Sequence, residues 1–97
     1  MKPVELGIPE LTETQFEEVS QTAEKAARRL IFSKVNPKIV EKLDISVEAE
    51  GTKPVNVIVE VDLALSQEIK DVDVNTLVEE AVKEAFKAVE DYLSKLT

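Results

Sequence analysis

Between Pro54 and Ser66 the chain alternates with period two. Val55, Val57, Val59, Val61, Leu63 and Leu65 fall on one side, and Asn56, Ile58, Glu60, Asp62 and Ala64 on the other. Only a β-strand with one buried face puts every second side chain in the same place. The all-Val/Leu side needs a layer of cover. The run Val57-Ile58-Val59 also needs pairing, because an open, apolar edge of this kind invites aggregation. Whatever this chain folds into is therefore built around a central strand at 55–65.

The remaining elements follow from local signals. Val4, Leu6 and Ile8 alternate with Glu5 and Gly7, which reads as a short first strand stopped by Pro9. Thr12 and Gln15 stand at the spacing of a capping box, with Leu11 and Phe16 at the staple positions, so a helix starts at Thr12. Phe16, Val19, Ala23, Ala26, Ala27 and Leu30 continue as one apolar stripe. Asn36-Pro37 ends that helix, and Asn36 can cap a short turn that carries Ile39 and Val40 inward. Leu43, Ile45, Val47 and Ala49 alternate with Asp44, Ser46, Glu48 and Glu50 in a second strand, and Gly51 to Pro54 supply the turn into the central one. After a polar loop from Glu68, Asp73 caps a last helix, with Val72 and Leu77 as its staple and a helical period running to Leu96.

The order is strand, helix, strand, strand, helix. The first helix returns the chain, so strands one and two run the same way and strand three opposes both. Placing strand three between them makes all neighbours antiparallel. The expected fold is α+β: a two-layer sandwich in which a three-stranded antiparallel sheet, in order 1-3-2, carries two helices on one face. At 97 residues this is a single domain, 1–97.

Composition removes several functions. The chain holds neither histidine nor cysteine, so the commonest acid-base group and the best nucleophile are missing, as are disulfides and thiolate metal sites. Its two glycines, Gly7 and Gly51, are too far apart for a phosphate-binding loop. The pairs Glu48/Glu50 and Glu60/Asp62 fall on the outward side of their strands, where a solvated face explains them. Glu68, Asp71 and Asp73 lack a calcium-loop pattern, and capping by Asp73 accounts for that loop. No enzyme activity, metal or cofactor is expected. With 20 acidic and 12 basic residues the net charge is −8, which opposes direct binding of nucleic acid. The sheet offers acids where a base-stacking surface needs aromatics. The first residues, Met1 to Glu5, carry no apolar stretch of a signal-peptide kind, and no run approaches a membrane span. A cytoplasmic location is expected. Abundant Glu, Lys and Val with few aromatics fit a thermophile.

Association is the function that survives. The last helix is apolar over about half its circumference. One seam is Val78, Ala81, Ala85, Ala88 and Tyr92; the other is Val82, Phe86, Val89, Leu93 and Leu96. A sheet covers one stripe. Val82, Phe86, Val89 and Leu93 are therefore the candidate interface with another chain, the rival being that the first helix covers them.

The layout resembles the small Pcc-type dimerising subunit of the KEOPS complex. Ile8-Pro9 closes strand one, Thr12 to Gln15 opens a helix, 43–50 and 55–62 form an acidic hairpin, and one long helix ends the chain. Gly7-Ile8-Pro9-Glu10-Leu11, Ala26-Ala27-Arg28-Arg29, Ile31-Phe32-Ser33-Lys34-Val35 and Leu77-Val78-Glu79-Glu80-Ala81 look like an uncharacterised archaeal small-protein family. That resemblance implies an accessory subunit of the archaeal KEOPS complex, which installs threonylcarbamoyladenosine in tRNA. Its partner would be the Pcc-type paralogue or a second copy. The run that docks the dimerising subunit on the catalytic subunit is replaced here by Glu84-Ala85-Phe86-Lys87-Ala88-Val89, so that contact is not implied. The alternative is a self-associating archaeal protein linked to prefoldin.

Overall fold

A computed structural model of the chain describes residues 4–8, 12–50, 55–69 and 72–95. The elements run β1 (Val4–Ile8), α1 (Glu13–Lys34), a 3-10 turn (Pro37–Ile39), β2 (Val40–Glu50), β3 (Val55–Leu65) and α2 (Val74–Ser94). Leu11, the turn Gly51 to Pro54, Asp71 and Leu96 lie outside the described residues.

Each helix starts where a side chain satisfies its free amides. Thr12 Oγ1 accepts from the Gln15 N–H at 3.1 Å, and Gln15 Oε1 accepts from the Thr12 N–H at 3.1 Å, completing the capping box. Asp73 Oδ1 accepts from the Asn75 N–H at 2.9 Å at the head of α2. α1 closes at Val35, whose N–H reaches the Ile31 carbonyl at 3.0 Å. Asn36 then accepts from the Lys38 N–H at 2.9 Å, with Pro37 in the first position of the turn. Because that turn feeds straight into extended backbone, β2 begins at Val40, earlier than the alternation alone indicated. A register shift between Val40 and Lys42 makes a bulge at Glu41.

β2 and β3 pair antiparallel over their whole length, from Val40↔Leu65 to Glu50↔Asn56. β1 lies on the other side of β3, giving the hydrogen-bonded order β1-β3-β2, but its register runs only from Ile8↔Val55 to Val4↔Val59. The expectation of a three-stranded sheet is corrected to this extent: three strands run side by side only along residues 55–59 of β3. From Glu60 to Leu65, β3 pairs with β2 alone, and this half of the sheet is a two-stranded antiparallel ribbon. The cause is length: β1 supplies five residues against eleven in β3.

Among the described side chains the core is built by the β2–β3 pair and the two helices, an α+β arrangement. α2 packs against β3, α1 against β2, and the helices against each other. Val57, Val59, Val61 and Leu63 are buried beneath them. α1 buries Val19, Ala23, Ala27 and Ile31; α2 adds Leu77, Val78, Ala81, Val82, Ala85, Phe86 and Val89. Small side chains at Ala23, Ala27, Ala81 and Ala85, each wholly enclosed, let the helices come close.

Candidate association surface

The seam expected to face another chain lies inside the monomer. Val82, Phe86 and Val89 are 3%, 8% and 0% exposed, and Leu93 is half-buried against the same core. The second seam is enclosed as well at Val78, Ala81 and Ala85. α2 meets both α1 and β3, and these two neighbours use up its apolar half. The outer-seam assignment is therefore corrected: Val82, Phe86 and Val89 hold the fold together. At the far end of the helix pair the Tyr92 hydroxyl donates to the Glu18 carboxylate. That bond, with burial second, holds the Tyr92 pKa above its ordinary range.

The outward side of the sheet is acidic. Register sets Asp44 directly opposite Asp62, Ser46 opposite Glu60, and Glu48 opposite Ile58. Like charges facing across a ladder repel. Lys42 relieves the nearest pair: its Nζ lies 3.1 Å from Asp62 Oδ2 and 3.6 Å from Asp44 Oδ2. The hydrogen bond to Asp62, and then the charges of Asp62 and Asp44, raise the Lys42 pKa. Asp44, Glu48 and Asp62 are exposed and Glu60 is half-buried. Among the described residues no charged or polar residue is buried, and no group of three or more potential ligands stands close enough to hold a metal. A shallow hollow between the helices, lined by Ala26, Arg29, Leu30, Glu84, Lys87 and Ala88, mixes both charge signs with small side chains.

The feature that sequence reasoning passed over is the outer edge of β2. The strand order places β2 at the end of the sheet, so one side of its backbone has no strand beside it among the described residues. Leu43, Ile45 and Val47 lie along this edge, and all three are only half-buried. The signal was available: the alternation at 43–49 together with an outermost place for strand two defines an edge with an apolar flank.

These features describe a small α+β sandwich whose distinctive exposed element is a long strand edge and not a cleft. The chain belongs to the family described as Protein of unknown function (DUF3194), whose model matches residues 8–92. An uncharacterised protein of Thermococcus kodakarensis is 32% identical over 93 residues, covering 96% of this chain and 85% of the relative. One from Pyrococcus furiosus is 29% identical, covering 99% and 86%. A crystal structure from Thermococcus onnurineus superposes with a TM-score of 0.83 at 26% identity, over 98% of this chain and 91% of that one. The solution structure of a hypothetical protein from Methanothermobacter thermautotrophicus gives 0.74 at 29% identity, over 93% and 97%. The curated relatives are archaeal and come from thermophiles. No described helix is long and apolar enough to cross a membrane.

Proposed function

We propose that this chain is a non-catalytic protein-association subunit, and that it serves as an accessory subunit of the archaeal KEOPS complex by pairing with its Pcc-type paralogue. The observation that carries the reading is the open edge of β2. Eleven residues of extended backbone, flanked by half-buried Leu43, Ile45 and Val47, form a template for a strand from another chain. A paralogue with the same order of elements would present the same kind of edge. The resemblance of the layout to the Pcc-type subunit supports the choice of partner. The exposed carboxylates, and the lack of any buried charged residue among the described residues, favour binding over turnover. A self-associating protein tied to prefoldin is the second reading, favoured by the symmetry of the same edge.

The test is reconstitution. The chain is mixed with the Pcc-type subunit from the same archaeon and followed by calorimetry and light scattering. The expected result is a 1:1 complex of micromolar affinity or better. A Pcc-type subunit that stays in its own dimer at tens of micromolar, with no heat of mixing, overturns the KEOPS assignment.

A further inference from the structure

From the pattern of β2 we infer that its open edge pairs with the β2 edge of a second copy of this chain, antiparallel, about a two-fold axis at Ile45. The inference rests on the self-association form of that reading and adds its register. An isologous contact must be self-complementary, because residue i meets j while j meets i. Antiparallel self-pairing of β2 can be centred on different residues, and charge separates the choices. Centred on Ile45, the overlap takes in the whole strand from Val40 to Glu50. Lys42 then stands opposite the other copy's Glu48, twice by symmetry, and Asp44 stands opposite Ser46. Centred on Asp44, that carboxylate faces its own image. Centred on Ser46, Asp44 faces Glu48 twice, and like charges directly opposed on a ladder are destabilising. Centres further out shorten the overlap.

The helix-side row agrees with the charged row. At the Ile45 centre, Ile45 meets Ile45 and Leu43 meets Val47, so the three half-buried side chains cover one another. Two β2–β3 ribbons would merge into one sheet, and both β2 edges would be removed together. The bulge at Glu41 lies at the end of the strand, so it leaves the ladder from Lys42 to Glu48 regular.

The chain has no cysteine, so introduced ones report this register cleanly. Four full-length single variants are made: Ile45→Cys, Leu43→Cys, Val47→Cys and Ser46→Cys, each confirmed as folded by circular dichroism. Crosslinking is driven by copper and dissolved oxygen and read on non-reducing gels. Ile45→Cys is expected to crosslink to itself, and Leu43→Cys to crosslink with Val47→Cys when the two are mixed but not when alone. Ser46→Cys, on the other side of the strand, should crosslink at least ten-fold more slowly. Equal rates for Ser46→Cys and Ile45→Cys overturn the register. If the parent dimerises on sedimentation without crosslinks at 43, 45 and 47, the edge inference falls while the association reading stands. A parent that stays monomeric at 100 μM and yet binds the Pcc-type subunit also defeats self-pairing. Failure of both associations removes the function proposal as well.

Discussion

Replacing Phe86 with alanine separates core from interface most sharply. Phe86 is 8% exposed in the single chain, so nearly the whole ring contributes to the monomer's own packing. Truncating a buried Phe to Ala costs about 3–5 kcal/mol, the sum of lost transfer energy and an unfilled cavity. A domain of this size holds a total stability of about 5–15 kcal/mol, so the loss is a large fraction of it. Each kcal/mol moves the melting temperature of a domain this small by about 4–8 °C, which puts the expected drop at roughly 12–40 °C. Thermal melts by circular dichroism at 222 nm measure it, with sedimentation at a temperature where the variant is folded. Association per folded molecule should be unchanged. A melting point within about 5 °C of the parent together with lost association would refute the reasoning, because it would mean that the ring packs against a partner and not against α1 and β3.

Other substitutions probe separate links. Thr12→Ala removes the acceptor of the Gln15 amide and should cost about 1 kcal/mol, read as a lower urea midpoint at constant slope. Ser20→Ala should leave stability unchanged or raise it by up to about 1 kcal/mol, since the Ser20 hydroxyl is buried without a hydrogen-bond partner and alanine is the better helix former; a clear loss would mean that the hydroxyl is bonded in solution. Lys42 and Tyr92 both have folded pKa values raised from 10.5 and 10.0. Each therefore stabilises the fold fully below its ordinary value, and that contribution disappears as pH rises through the folded value. Stability should fall above about pH 10, and the double change Lys42→Met with Tyr92→Phe should flatten that limb in denaturant titrations between pH 9 and 12. Glu60→Gln should have no effect on any turnover assayed with the purified chain; activity abolished by that change would overturn the non-catalytic reading.

Much of the local structure was legible because it depends on local chemistry. Thr12 with Gln15, Asp73, and Asn36 before Pro37 end or start elements through hydrogen bonds within a few residues, and each cap forms as its spacing indicates. The period of 55–65 likewise reports which side of β3 is buried. What covers an apolar face is a different kind of fact. The half-circumference of α2 told that Phe86 and Val82 must be shielded, but not whether α1 or a second chain does it. That depends on a crossing between helices far apart in sequence, which no periodicity encodes. The reach of β1 was hidden for a related reason: five alternating residues show a strand, yet its register against β3 is set by tertiary packing. The open flank of β2 was legible only in principle, because Leu43, Ile45 and Val47 alternate in the same way whether their strand is central or outermost.

The four enclosed alanines of the helix pair, Ala23, Ala27, Ala81 and Ala85, bear on how the fold responds to heat. A leucine or methionine that orders in a core gives up rotamers, and that loss weighs more as temperature rises, being multiplied by T. Alanine has no rotamers to surrender. Where these residues sit, α1 and α2 lock together with almost no side-chain entropy penalty. At these four positions the rotamer loss that grows with temperature is absent, which matters most at the temperatures where the thermophilic relatives grow.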